Sequence, residues 1–255
     1  DPDYKRLLGE EDYKYTLRSV LKASPGHVMV EADYVGAELF GMAVMSGDEN
    51  MIKHALRNQL PENHPDYYDI HSQVACFAFK LDCPPTKSGL AAIGKKHIRI
   101  VAKSVIFGIA YGRGPKAIAI AAKEQGIEIE VDEAQAVIDA IFQMYPRLNP
   151  FFKECKDRAT GSYIDPKTGE TVAGRYLCNC YGRFRRFPEA HSDRGLEGEF
   201  ERQAMNYPIQ SMIASAVSRA LAYIHDYKEK QLKQGKDLFK VLLQIHDAVL
   251  LEVPY

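Results

Sequence analysis

The chain has 255 residues, 46% of them hydrophobic and 26% charged, which allows one large or two smaller domains with a sizeable core and excludes disorder as the main state. No apolar run reaches the ~18 residues needed to span a bilayer, and the polar opening Asp1-Pro2-Asp3-Tyr4-Lys5-Arg6 does not read as a signal peptide. The formal net charge is −1, which argues against a basic nucleic-acid binder on composition alone, although Lys95, Lys96, Arg99 and Lys103 cluster, as do Arg183, Arg185 and Arg186. Five cysteines (Cys76, Cys83, Cys155, Cys178 and Cys180) are an odd count in a chain that is not small, so reduced thiols in a reducing compartment are expected rather than a disulfide framework.

In chain order, His27 to Asp33 reads as a short strand after the turn Ser24-Pro25-Gly26. Ala37 to Met45 is helical in pattern and stops at Ser46-Gly47-Asp48. Residues 58–69 are loop-like. Residues 97–111 form a strong helix that ends at the breaker Gly112-Arg113-Gly114-Pro115. A further helix spans 132–144 and stops at Tyr145-Pro146. Residues 161–190, rich in turn formers, predict an irregular or hairpin segment. Residues 209–232 predict a long helix with Ala and Ser on one face, and Pro208 is expected to interrupt it. Val241–Ile245 and Val249–Val253 are two apolar runs joined by His246-Asp247-Ala248, a β-hairpin with a polar tip.

Three groups of residues carry possible chemistry. Asp33 stands at a strand end, with Glu38 in the first turn of the following helix. Asp247 stands at the hairpin tip. Together the two aspartates are suited to hold two Mg²⁺ ions, which prefer carboxylate oxygens with substrate phosphates completing the shell; each alone is equally an ordinary surface carboxylate. Arg99, Lys103, Phe107 and Tyr111 recur every four residues, so they share one slowly rotating helix face. Cations followed by rings suit a nucleoside triphosphate; a surface helix with a half-buried aromatic end is the alternative. Arg202, Asn206 and Gln210 repeat the spacing, and all three side chains can donate to the sequence-independent acceptors of a DNA minor groove.

Taken in order, these segments resemble the motifs of family A DNA polymerases, the bacterial repair and phage replicative type. Asp33-Tyr34-Val-Gly-Ala-Glu38-Leu39 looks like motif A, Arg99 to Gly112 like motif B on the fingers helix, and Gln244-Ile-His246-Asp247 like motif C. Arg202 to Gln210 is similar to the family's minor-groove segment. Ser46-Gly47-Asp48, Asp69-Ile70-His71 and Tyr181-Gly-Arg183-Phe-Arg185-Arg186 also fit, and Arg18 stands where the family places an arginine near the primer terminus. The resemblance runs from about residue 17 to the end.

The resemblance implies an α+β fold: a palm with an antiparallel sheet, residues 1–56 and 205–255, interrupted by a mainly helical fingers subdomain, residues 57–204. It implies template-directed DNA synthesis, with two Mg²⁺ ions (Mn²⁺ a substitute) on Asp33, Asp247 and the Tyr34 carbonyl. Arg99, Lys103 and His71 would bind the triphosphate, with Lys103 also the candidate proton donor to pyrophosphate. Phe107 and Tyr111 would frame the sugar and base pair, and Glu38 would guard the sugar 2′ position. Arg18, Tyr34, Arg202, Asn206, Gln210 and His246 would meet the primer-template. DNA and dNTPs are the expected partners, accessory proteins are left open, and no membrane is expected. The expected location is the cytoplasm of a bacterial or phage-infected cell, with an organelle as the alternative.

Several positions depart from the family pattern. Val35-Gly36-Ala37 replaces the usual Ser-Gln-Ile, Phe40 a frequent Arg, Ile100 and Ile106 a frequent Arg and Asn, and Ala248 a frequent acidic residue. They suggest a divergent, viral-type branch. The thumb and exonuclease regions of the family have no counterpart in these residues, so a fragment of a longer protein is expected. The rival readings are a phage-type single-subunit RNA polymerase, which Glu38 and Phe107 disfavour, and a decayed, non-catalytic clamp, which the intact Asp33 and Asp247 disfavour.

Overall fold

The computed structural model describes residues 21–124, 126–164, 167–174, 176–187 and 197–255; Arg18 lies outside them. Two compact units separate: residues 21–34 with Val217–Tyr255, and Val35–Ala216.

In the smaller unit, strands β1 (His27–Asp33), β6 (Lys240–Ile245) and β7 (Ala248–Pro254) form an antiparallel sheet of order β1-β7-β6. The two apolar runs pair with one another, and central β7 buries Ala248, Val249 and Leu250. Glu252, also buried, is not left unpaired: it accepts from the Ser24 amide at 2.7 Å and from Lys240 Nζ at 3.0 Å. The Ser24 and Lys240 hydrogen bonds hold its carboxyl down at about 2. Ile245 opposes Ala248, so His246 and Asp247 alone make the hairpin loop. His246 takes φ +55°. Two-residue hairpin loops need this left-handed conformation and usually take it with Gly or Asn; in histidine it is strained by roughly 1–2 kcal/mol.

The larger unit holds eight helices among its described residues, α1 (Ala37–Ser46), α2 (Glu49–Asn58), α3 (Ile70–Ala78), α4 (Lys87–Ala92), α5 (Lys96–Ala110), α6 (Pro115–Glu124), α7 (Val131–Met144) and α8 (Leu148–Thr160), and the first part of α9 (Glu197–Leu232). Two short hairpins, β2 (Ser162–Ile164) with β3 (Thr171–Ala173) and β4 (Tyr176–Cys178) with β5 (Phe184–Arg186), fill the segment read as irregular. The main core joins α1, α3, α5 and α7 through Met42, Ile70, Val74, Val105, Ile109 and Val137, all at most 4% exposed. A second cluster gathers Cys155, Ala159, Leu177, Phe187 and Ala204. Asp48, the N-cap of α2, also accepts from the Arg147 amide at 3.0 Å, which ties the start of α8 to the end of α1.

The architecture is the mixed helix and antiparallel-sheet fold expected. Its compact units divide after Tyr34 and after Ala216, whereas the motif-based palm and fingers boundaries fall at 56/57 and 204/205. Helices α1 and α2, grouped with the palm by motif, are built into the core of the larger unit.

One expectation is corrected. Pro208 does not interrupt the long helix, which begins at Glu197 and carries Pro208 inside it. A mid-helix proline removes one hydrogen bond and crowds the preceding turn. Here buried neighbours on both sides, Ala204 at 0% and Ile209 at 0% exposure, hold the helix together across it.

Candidate active site

Two groups of site residues emerge, one in each unit. In the smaller unit β1 delivers Asp33 at its last position, directly opposite Ala248 in the β1–β7 register. Asp247 is the residue before Ala248, so residues 214 positions apart (247 − 33) become neighbours across a sheet. Neither carboxylate is paired with another side chain among the described residues. No cluster of three or more His, Cys, Asp or Glu side chains forms a metal cage among those residues either. Two bare carboxylates suit a hard divalent ion that draws its other ligands from substrate phosphate, the carbonyl backbone and water. The loop carbonyl of His246 is held by Gln244 Nε2 at 3.1 Å, bracing the turn that presents Asp247.

In the larger unit, α5 carries Arg99, Lys103 and Phe107 on one face; Tyr111 sits just beyond the helix as its C-cap. Lys103 Nζ stands 5.7 Å from the Phe107 ring centre, close enough for cation–π attraction. Lys103 is exposed and Phe107 half-buried, so the stripe is open at its cationic end. Lys103, Phe107 and Tyr111 line a cleft of about 410 Å³ with Arg113 and Ile118. Gly108 sets its floor: a Cβ there would come within 2.7 Å of Ile118 Cγ1, so only glycine lets α6 approach.

Asp69, part of the Asp69-Ile70-His71 segment, has a role that the motif reading did not assign. It caps α3, accepting from the Ser72 amide at 3.3 Å and the Ser72 hydroxyl at 2.7 Å. It also grips Arg99 at both carboxylate oxygens, 2.8 Å from Nε and 3.1 Å from Nη2. Burial alone would raise the Asp69 pKa, but the hydrogen bonds from Arg99 and Ser72 outweigh it and the net shift is downward. Arg99 is thus already half engaged by protein, with Nη1 not bonded to any described residue. The signal for Asp69 was present as an Asp before an apolar helix, which predicts a cap but not a second partner 30 residues away.

His71 follows on the same turn. Its side chain is 13% exposed, and Nδ1, 3.8 Å from Asp69 Oδ1, makes no hydrogen bond to any described residue. Burial first, then the positive charges of Arg99 and Lys103, push its pKa down to about 4, so the ring is neutral at pH 7. The ring faces Phe107 at a centroid distance of 6.5 Å.

At the other end of the stripe, Tyr111 receives a long hydrogen bond from Gln210 Nε2 at 3.4 Å. Burial and then the Glu38 carboxylate raise the Tyr111 pKa, against Arg113, which places Glu38 in electrostatic reach of the phenol. Glu38 itself sits in the first turn of α1, entered through Gly36 at φ +65°; the departure at this position is one that only glycine takes freely. Gly112 (φ +66°) allows equally close contact: an added Cβ would lie 3.0 Å from Arg202 Cγ. Arg202, Asn206 and Arg113 then line a second cleft of about 510 Å³ with Tyr111. Asn206 Oδ1 is buried and makes no hydrogen bond to any described residue. Three other departures have local reasons: Phe40 packs against the main core, Ile106 is 3% exposed within it, and Ala248 is 5% exposed in the sheet; nothing in the structure explains the exposed Val35 and Ile100.

A strand pair that presents two carboxylates and a separate helix that presents cations and then rings make up an α+β architecture. The chain matches DNA polymerase family A over residues 5–255. It is 30% identical to DNA polymerase I of Caldicellulosiruptor bescii, covering all of this chain and 26% of that protein. It is 31% identical to the DNA polymerase of Escherichia phage T5, covering 92% of this chain and 26% of that protein. Its fold matches the POL domain of Pol1 from M. smegmatis, solved in complex with DNA primer-template and dNTP, with a TM-score of 0.64 and 26% identity over 91% of this chain and 34% of that one. This chain belongs to DNA polymerase family A, and it spans about a quarter of the length of the curated relatives it matches.

Proposed function

We propose that this chain supplies the palm and fingers of a template-directed DNA polymerase that adds dNTPs to a primer 3′-OH and releases pyrophosphate. The observation that carries this reading is the strand register that makes Asp33 and Asp247 neighbours, on a chain whose fold relative was solved with primer-template and dNTP. Palm is assigned to residues 1–56 and 205–255 and fingers to 57–204.

Asp33, Asp247 and the Tyr34 carbonyl are the residues that would hold two Mg²⁺ ions, with Mn²⁺ as a substitute. When bound, such ions lower the pKa of the attacking hydroxyl and neutralise the leaving pyrophosphate. Lys103 and the free edge of Arg99 meet the triphosphate, and Lys103 holds the proton for the leaving group. Neutral His71 offers a hydrogen-bonding ring without adding charge. Phe107 and Tyr111 shape the sugar and base-pair site, and Glu38 excludes a 2′-OH. Arg202, Asn206 and Gln210 donate to minor-groove acceptors, which all correct base pairs present alike. His246 faces the primer end, and Tyr34 and Arg18 complete the DNA contacts. The proposed setting is the cytoplasm of a bacterial or phage-infected cell; no helix among the described residues is long and apolar enough to cross a membrane.

The test is primer extension on a DNA template with Mg²⁺, with dNTPs and rNTPs in parallel and a chelator control. Metal-dependent extension with dNTPs is expected; preference for rNTPs, or extension in excess chelator, overturns the assignment.

A further inference from the structure

The connector between α3 and α4 brings two thiols together outside the site described above. At the end of α3, Lys80 takes φ +49° and the Leu81 amide donates to the Cys76 carbonyl at 3.0 Å. This left-handed closure reverses the chain and returns Cys83 to the last turn of α3. Cys76 Sγ and Cys83 Sγ lie 3.7 Å apart and share a hydrogen bond. Both are part-exposed and flank the main core beside Phe79 and Leu81. The remaining thiols stand elsewhere: Cys155 is buried in the second cluster, and Cys178 and Cys180 are exposed on the β4–β5 hairpin.

We propose that Cys76 and Cys83 form a reversible disulfide site, closed by small disulfides of the glutathione class and reopened by thiols. Closure needs the sulfurs to move from 3.7 Å to about 2.05 Å, a shift of rotamer and connector rather than of helices. Cys76 is held in the last turn of α3 whereas Cys83 stands on the connector, so Cys83 attacks first; burial and then the hydrogen bond to Cys83 push the Cys76 thiol up to about 12. The Cys83 thiolate attacks one sulfur of oxidised glutathione, forming a mixed disulfide and expelling one glutathione thiolate. Cys76 then loses its proton and attacks the Cys83 sulfur, expelling the second. Two cysteine thiols are oxidised by two electrons, and one glutathione disulfide becomes two thiols carrying the two protons. The closed bond would staple the end of α3 to the approach of α4, while Asp69 and His71 stay at the opposite end of α3.

The chain itself provides a readout, because Lys80 lies between the two cysteines. The native protein is incubated with oxidised glutathione, acid-quenched, alkylated with iodoacetamide and digested with trypsin. Peptides 58–80 and 81–87 should be recovered joined, lighter than their sum by two hydrogen atoms, while Cys155 is recovered alkylated. Dithiothreitol before alkylation should return both peptides alkylated and separate. Cys76→Ser should stop at a mixed disulfide on peptide 81–87, and Cys83→Ser should leave Cys76 mainly alkylated. Recovery of both wild-type peptides unjoined, whether alkylated or each carrying glutathione, overturns the proposal.

Discussion

Asp69 and Arg99 are joined by two hydrogen bonds of 2.8 and 3.1 Å, so the first cation of the α5 stripe is held by the cap of another helix. The guanidinium plane is fixed and one edge remains open. That edge is preorganised for a phosphate, because a fork already oriented loses less freedom on binding.

Replacing Asp69 with Asn should therefore cost both stability and nucleotide affinity. Asp69 is 2% exposed and the Arg99 side chain 20%, and breaking a buried pair by removing one charge costs roughly 3–5 kcal/mol. The expected results are a fall of that order in chemical denaturation and a raised KM for dNTP. Since the Asp69 pKa is lowered on folding, its contribution is present above the ordinary aspartate range and lost as pH falls through it. Unchanged stability in the variant would mean that Arg99 does not depend on this partner.

His71 titrates in a different window. Its folded pKa of about 4 lies below the ordinary 6.5, so the unfolded chain binds the extra proton first and stability falls as pH drops from about 6.5 to 4. The slope is worth up to about 3 kcal/mol. His54, also lowered by burial and by Arg57 and Lys53, adds a fall of the same sign below its ordinary value. His71→Gln should therefore flatten the stability profile between pH 6.5 and 4 without abolishing its slope, and an identical profile in the variant would put His71 outside the buried pocket.

Asp247→Asn should separate catalysis from folding. Asp33 and Asp247 have no partner to lose among the described residues, so each Asn variant should keep its unfolding free energy within about 0.5 kcal/mol. Primer extension should fall by far more than tenfold, which corresponds to ~1.4 kcal/mol of barrier. A variant that keeps a tenth of the wild-type rate would remove that aspartate from the metal site.

Glu38→Ala carries two readouts. The dNTP-over-rNTP ratio of kcat/KM should drop as space opens for a 2′-OH. The Tyr111 phenol, raised by burial and then by Glu38, should titrate at lower pH, which ultraviolet difference spectra follow. A lower tyrosine pKa with an unchanged ratio would keep the contact and discard the steric role.

How much of this was legible in the sequence depends on whether the signal was local. The hairpin that carries Asp247 was legible because two apolar runs close together are a local signal, although the connector read as His246-Asp247-Ala248 is one residue shorter, with Ala248 already in β7. So was α5, whose strong pattern placed it within one residue at each end. One element was hidden by a proline read as a breaker: Pro115 opens α6 at its first position, where a proline's missing N–H has no helical partner to lose. The motifs named Arg99 and His71, but the grip of Asp69 on Arg99 and the burial that neutralises His71 come from packing α3 against α5, which no local pattern encodes.

Phe107 bears the most specific prediction. It sits one turn beyond Lys103, with Lys103 Nζ over its ring and His71 facing it; both neighbours crowd the ring without supplying a hydroxyl to the stripe. In the proposed site this ring lies by the sugar's 3′ side. A dideoxynucleotide lacks the 3′-OH that satisfies a polar contact within the bound nucleotide, and phenylalanine offers no replacement. A tyrosine hydroxyl would supply one, and a missing hydrogen bond in a closed site costs roughly 1–3 kcal/mol. The wild-type protein should therefore discriminate against ddNTPs. Phe107→Tyr should relax that discrimination by about 10- to 100-fold, at little cost to normal extension, because the ring is only half-buried and its edge has room for one more atom. The measurement is the ddNTP-to-dNTP incorporation ratio in both proteins. A wild-type protein that accepts ddNTPs freely, or a variant with the same ratio, would show that Phe107 does not face the sugar.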